Sequence, residues 1–519
     1  MKEGAPINKE HLNTTDQKLE ILQQTENKKN PEELTISEAL NYLAAKPGQK
    51  IDYIGTATSD FQSHPLLYDD KNHPIILSDW EMETQKSLGD NASKKKTIKR
   101  RHDKNELPHF FDQPEKYINR AAEINNNMFR ISLDFARLCP KPGEFDTEMM
   151  DKYIKVLALA RARNLEPMLA MYHWPMPKYL LKINENNDIT AGGWENPEVN
   201  KHFRYYIEQV VNYLGNRDRL RKPLEDIGMD AKSQEKFLNE GLVKYFLTIN
   251  EPFNLILPTY IAGVFPPFKK GRVDKIGKIL ERLVEAHDIA RDQLKSGELT
   301  KDNREIKVGA GHNWIYFDGV LGDLFHKIAN KNISSKFERD NEYSDFIGLQ
   351  YYFHMTTPLI QKYRKGRDYS DNPYFGDVYP PGIYKLLKKM NKDYPHKDIF
   401  ITEFGFSDQN DKKRPYWILE TVRYILEAVK HNIPVKGMLL WTLINNFEWS
   451  EGMDQKFGLF SEDQLNQPLI PSQNGVRSWE VWKAISEAIT TYDPEKIKKL
   501  QKIYEQAKNQ YEEYIYKNK

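Results

Sequence analysis

The chain has 519 residues, 39% of them apolar and 12% aromatic, with 76 basic against 75 acidic side chains. Such a length holds a few average domains or one large α/β domain with insertions. A net charge of +1 excludes a global field that would gather nucleic acid, an anionic membrane or a highly charged substrate.

Taken in chain order, residues 1–47 are charged and rich in Gln and Asn, with one helical stretch in "ISEALNYLAAK", and read as a flexible or loosely docked extension. The opening lacks an apolar signal core, and no stretch approaches the roughly 18 apolar residues of a membrane span. The lone Cys139 excludes a disulfide framework and fits a reducing compartment. A cytoplasmic protein with no transmembrane segment is expected.

Eight strand-like runs follow: 51–59, 127–134, 166–173, 243–251, 306–314, 344–352, 398–405 and 435–443. Between them lie segments such as "EMMDKYIKVLALARARN" and "PYWILETVRYILEAVKHN", apolar at helical spacing. The stretch "DRLRKPLEDIGMDAKSQEKFLNEGL" reads as a charged helical insert before the fourth strand. The basic run "KKKTIKRRHDK" lacks interleaved aromatics and reads as a solvated loop rather than a nucleic-acid contact. Residues 493–519 have the charge spacing of a helix lying on the body, open to a contact in a homo-oligomer.

Runs apolar on both faces, each followed by a helix, predict a parallel sheet covered by helices. Periodicity alone leaves a doubly wound open sheet as the alternative to a single (β/α)8 TIM barrel over 48–492. The barrel is favoured by where the polar residues fall. Arg130, His173, Trp174, Asn250, Glu251, Tyr352, Glu403 and Trp441 stand at the C-terminal ends of the runs. In a barrel those ends converge on one face; in an open sheet they would be strung along a line.

Two of these residues are glutamates closing hydrophobic strands, in "KYFLTINEP" and "DIFITEFG". A buried, unpaired carboxylate is costly, so each caps something locally or works at the mouth of a site. Two such carboxyls on different strands suit glycoside hydrolysis, where one protonates the leaving oxygen and the other stands opposite. The expected separation for a covalent intermediate is about 5 Å. Gly405 is read as permitting a sharp turn after Glu403. The run "LLWTLINNFEWSEGMDQKFGLF" adds Trp441, Glu448, Trp449 and Phe457, flat apolar faces beside an acceptor, as a pyranose requires.

These stretches resemble glycoside hydrolase family 1. "TINEP" is similar to its T-x-N-E-P motif, "ITEFG" to I-T-E-N-G, and the 439–460 run to its C-terminal W-S-L-x-D-N-F-E-W signature. Further matches run in order from "GTATSDFQ" through "GVFPP" to "RSWEVWKAI"; "DFQS", "LSDW", "MYHWPMP" and "RPYW" look most like the archaeal-type β-glycosidases, with the plant galactolipid-remodelling branch also similar. The resemblance implies a (β/α)8 barrel, retention of anomeric configuration and no metal or organic cofactor. It implies Glu403 as nucleophile, held by Arg130 and Tyr352, and Glu251 as acid/base, kept protonated by the charge of Glu403 and partial burial. Asn250 would bond the 2-hydroxyl. Gln62, His173 and Trp449 would read the 3- and 4-hydroxyls and Glu448 the 4- and 6-hydroxyls, with Trp441 as floor and Trp174 and Phe457 as walls. A carboxylate at 448 would repel a 6-phosphate.

The chain departs from the pattern at Phe404, Gln350, Phe135, Asn445, Phe253 and Ser63–His64–Pro65. Phe404 either narrows the site or repacks behind its strand. The expected activity is exo-hydrolysis of unphosphorylated β-D-glucosides or β-D-galactosides, small-molecule substrates. Transglycosylation to a sugar, alcohol or lipid and a non-catalytic carbohydrate-binding role are the alternatives.

Overall fold

A computed structural model describes residues 35–46, 48–88, 98, 102–296, 299, 304–339, 343–356 and 379–518. Residues 1–34 of the N-terminal extension and most of the basic run at 94–104 lie outside the described residues.

Eight parallel strands close into a barrel: β1 (Tyr53–Ala57), β2 (Met128–Ser132), β3 (Glu166–Ala170), β4 (Tyr245–Asn250), β5 (Lys307–Asn313), β6 (Phe346–Tyr351), β7 (Asp398–Phe404) and β8 (Val435–Trp441). Each pairs with its neighbours in sequence, and β8 closes on β1 through Tyr53–Gly437 to Ala57–Trp441. That closure rules out the open sheet. The outer layer contains α1 (Pro114–Glu123), α2 (Thr147–Ala162), α3 (Val199–Gly215), α4 (Ile276–Ser296), α5 (Asn332–Phe337), α6 (Pro381–Asp393), α7 (Arg414–Lys430) and α8 (Ser478–Thr491). With helices on one side and the barrel interior on the other, β2, β4 and β6 are buried at every position. Their apolar runs therefore show no alternation.

Toward the N-terminal ends of the strands the interior is filled by aromatic rings. Tyr245 and Phe346 pack on Phe400 with centroids 5.1 and 4.9 Å away, and Tyr53 meets Tyr245 at 5.2 Å. That end is a packed core, leaving the C-terminal mouth for chemistry.

Two strands break their two-residue alternation just before the mouth. Along β7, Ile401 is level with Leu349 of β6, yet the next partner pair is Glu403 with Gln350, so Thr402 is an extra residue. Along β4, Leu247 pairs with Gly309 and Asn250 with Gly311, again one residue too many. Such bulges re-aim side chains near active sites. Phe400 and Glu403 consequently both face inward, as do Leu247 and Asn250, although each pair is an odd number apart.

Before β4, the charged insert forms two helices, Arg217–Asp226 and Ala231–Glu240. Gly228 turns the chain between them at φ 72°. Three two-stranded ribbons, 67–68 with 74–75, 181–183 with 189–192, and 316–318 with 354–356, decorate the loops. Their strands of two to four residues are too short for a period to show.

The helix Ile36–Ala44 opens on a Thr35–Glu38 capping box, and its Ile36, Ala39, Leu40 and Leu43 are buried. It packs against α7 and the helix Pro494–Asn518. That last helix buries Ile497, Leu500 and Ala507, and its Tyr504 hydroxyl donates to Glu420 of α7 at 2.5 Å.

Candidate active site

The bulge at Thr402 turns Glu403 into the barrel mouth, where three side chains donate to its carboxyl. Arg130 of β2, fully buried, donates from Nη1 to Oε1. Gln350 of β6 donates from Nε2 to the same oxygen at 2.9 Å. Tyr352, just past β6, donates from Oη to Oε2 at 2.8 Å. Burial first, then the charge of Glu403, raises the Tyr352 phenol well above its ordinary range, so the hydroxyl remains a donor.

Glu251 stands opposite in its chemistry. The chain leaves β4 through Glu251 in the left-handed region, at φ 45° and ψ 59°, a strained conformation for a non-glycine residue. Its amide still bonds Gly311 O at 2.9 Å, and Pro252 begins the helix Pro252–Ile256 at a position that needs no N–H donor. Proline therefore stops the strand and starts a helix in one step. The Glu251 carboxyl is buried; Oε2 accepts from Asn254 Nδ2 at 3.2 Å, whereas Oε1 has no hydrogen-bond partner. Burial, with the charge of Glu403 second, holds Glu251 well above the usual carboxylate range, against the weaker pull of Asn254, Asn313 and Arg130. The expected influence of Glu403 is present, and burial is the larger cause.

Around these two groups lie the remaining candidate residues. Asn250 Oδ1 accepts from Arg130 Nη2 at 2.7 Å, and its Nδ2 lies 3.2 Å from His173 Nε2. Burial and the neighbouring guanidinium hold His173 neutral, well below its ordinary range. The His173 ring stacks between Trp441 and Trp449, 6.0 Å from each. Trp174 closes on Trp449 at 4.6 Å and donates from Nε1 to Asn250 O at 3.0 Å. Phe457 meets the Tyr352 ring edge-on at 6.1 Å.

At the far side, Gln62 lies on the helix Asp60–Ser63 after β1 and donates from Nε2 to Glu448 Oε2 at 3.0 Å. Glu448 is pushed up to about 8 by burial, then by Glu403 and Glu451, with Gln62 and Trp441 opposing through hydrogen bonds. That shift favours its protonated form near neutral pH. The Gln62 helix is fastened by the buried Arg137, which bonds Asp60 Oδ1 at 2.5 Å, Glu81 Oε1 at 3.0 Å and His64 O at 2.6 Å.

Three of the departures separate into two groups. Phe404 points away from the mouth and packs between Trp417 of α7 and Trp482 of α8, 6.0 and 5.9 Å away; it repacks behind the strand and does not narrow the site. Phe135 likewise stacks on Tyr206 of α3 at 4.8 Å. Gln350 sits within the site, joined to both Glu403 and Asn250. Gly405 is not a turn residue: a Cβ there would lie 2.5 Å from Trp441 O and 3.2 Å from atoms of Phe457 and Tyr352, so its role is close approach.

Three contributors were not assigned from sequence. Gln350 was visible only as a departure. Trp80 and Phe265 extend the aromatic wall, 4.8 Å from Trp449 and 5.8 Å from Trp174 respectively. Their one signal was membership of the "LSDW" and "GVFPP" stretches.

A closed (β/α)8 barrel with carboxyls, amides and indoles gathered at its C-terminal mouth defines an enzyme of the glycoside hydrolase class. The family model for glycosyl hydrolase family 1 matches residues 84–234 and 341–474, more than half of the chain. The chain belongs to that family and is a β-glycosidase-type hydrolase. A 1,4-β-D-glucan glucohydrolase of Thermotoga neapolitana is 23% identical over 402 residues, 69% of this chain and 83% of that protein. The chloroplastic galactolipid galactosyltransferase of Arabidopsis thaliana is 24% identical over 376 residues, 68% of this chain and 54% of that protein. The fold matches the hyperthermophilic β-glucosidase of Pyrococcus furiosus with a TM-score of 0.67 at 20% identity, covering 87% of this chain and 98% of that one. Among the described residues no helix is long and apolar enough to cross a membrane.

Proposed function

We propose that this chain is a retaining exo-β-glycosidase for unphosphorylated β-D-glucosides or β-D-galactosides, with Glu403 as nucleophile and Glu251 as acid/base. The contrast between the two carboxyls carries the reading. Three donors aimed at Glu403 fit an anion poised to attack. Glu251, buried with a bare Oε1 and its proton held by burial and by Glu403, fits a general acid.

In the first step a Glu403 oxygen bonds to C1 as the C1–O bond to the aglycone breaks, and the Glu251 proton passes to the departing oxygen. Esterification removes the negative charge of Glu403. The repulsion that held the Glu251 proton falls, and the Glu251 carboxylate then takes a proton from the water that attacks C1. The C1–O bond to Glu403 breaks, and the sugar leaves with its original configuration.

Gln62 and Glu448, joined by a 3.0 Å hydrogen bond, would together read the outer hydroxyls of one terminal sugar, which fits exo action. Glu403 and Glu451, whose charges add to burial in raising Glu448, would also repel a 6-phosphate, so phosphate rejection does not need Glu448 to be ionised. Transfer to an alcohol or lipid acceptor is the second reading, favoured by the matched relative named as a galactolipid galactosyltransferase.

Incubation with activated 2-deoxy-2-fluoro β-glucoside and β-galactoside is expected to add one fluoroglycosyl group to the peptide carrying Glu403. A label on another residue, or undiminished aryl β-glycoside turnover by Glu403→Gln, overturns the assignment. Product analysis with an added alcohol measures the share of transfer.

A further inference from the structure

Gln350 is wholly buried near the end of β6, and its Nε2 lies 2.6 Å from Asn250 Oδ1 and 2.9 Å from Glu403 Oε1. We propose that Gln350 is a positioning residue that locks the orientation of the Asn250 amide and ties it to Glu403. The proposal rests on the reading of Asn250 as the 2-hydroxyl contact and Glu403 as nucleophile.

A primary amide nitrogen has two hydrogens, and these two acceptors use both. Asn250 Oδ1 in turn has two lone pairs, one facing Gln350 Nε2 and the other Arg130 Nη2 at 2.7 Å. Rotating the Asn250 amide by half a turn would set its NH2 against a guanidinium and another NH2, donor against donor. The oxygen is therefore held inward and Nδ2 is the end left for a ligand, with His173 Nε2 at 3.2 Å as its neighbour. A sugar is then read at its 2-position as a hydrogen-bond acceptor.

The reach across the barrel depends on Gly311. β5 lies between β4, which carries Asn250, and β6, which carries Gln350. A Cβ at residue 311 would lie 3.0 Å from Gln350 Nε2 and 3.4 Å from Asn250 Oδ1. The bare backbone there leaves room for a side chain one methylene longer than asparagine. One amide thus couples the group that reads the 2-hydroxyl to the group that attacks C1.

The test compares kcat/KM for an aryl β-glycoside and its 2-deoxy analogue in the wild type and in Gln350→Met, which keeps length and loses both donors. The wild type is expected to disfavour the 2-deoxy substrate by about 100-fold, and Gln350→Met by severalfold less than that, because Arg130 alone then holds the Asn250 oxygen inward. A merely structural role lowers both substrates together, so an unchanged ratio overturns the proposal. Gly311→Ala, which crowds the same amide while Gln350 remains, is expected to shrink the ratio as well and serves if Gln350→Met does not fold. Fluoroglycosyl labelling of the wild type separates the two readings. If the label misses Glu403 the functional reading fails and this proposal with it; if Glu403 is labelled and the ratios match, only the role of Gln350 is lost.

Discussion

Replacing Glu448 by glutamine is expected to stabilise the protein, increasingly so as the pH rises. Burial, Glu403 and Glu451 lift the Glu448 carboxyl from 4.5 to about 8, so the folded chain keeps a proton that the unfolded chain releases. Stability from this group is fully present below about pH 4.5 and is lost as pH climbs to about 8, where both states are ionised. Each pH unit in that window removes at most about 1.4 kcal/mol. From pH 5 to pH 8 the wild type therefore loses up to about 4 kcal/mol that the variant keeps. The Glu448→Gln change keeps a neutral group of the same size whose amide oxygen can still accept from Gln62 Nε2. Other raised carboxyls, such as Asp79 at about 8, remain in both proteins and cancel in the difference. Urea midpoints of the two proteins, measured at about pH 5, 6, 7 and 8, should diverge steadily. A difference that stays constant across this range refutes the reasoning.

Phe404→Asn, which restores the residue common in the family, places an amide between Trp417 and Trp482 and should cost about 2–4 kcal/mol, read by urea unfolding, with KM for aryl glycosides unchanged. Arg137→Met leaves Asp60 and Glu81 buried without their cation and should cost about 3–5 kcal/mol; because the Gln62 helix loosens, KM should rise as well. Leu40→Ala, in the fully buried face of the N-terminal helix, should cost about 2–5 kcal/mol without changing kcat/KM at a temperature where the variant is folded.

How legible the site was depended on the scale of the feature. The eight strands, the glutamates that close two of them and the aromatic run at 439–460 follow from apolar runs, a strand-stopping proline and residue chemistry, all local properties of the chain. The charged insert before β4 was legible as helical because its spacing is helical. Its division into two helices depends on the left-handed turn at Gly228, which periodicity does not register. Strict alternation from Phe400 would have sent Glu403 outward and Phe404 inward. The bulge at Thr402 reverses them, and for the same reason the position of Phe404 was undecided from sequence.

The amino-acid sequence by itself determined the barrel, its order and the chemical identity of what stands at its mouth, because burial on two faces and strand-ending residues are written residue by residue. Tertiary structure alone decided which side chains turn inward, that burial outweighs charge in holding the Glu251 proton, and that Glu448 favours its protonated form near pH 7. It also decided that Gln350 reaches past Gly311 to Asn250. These depend on register, on desolvation and on contacts between strands tens of residues or more apart in the chain, and no local pattern encodes them.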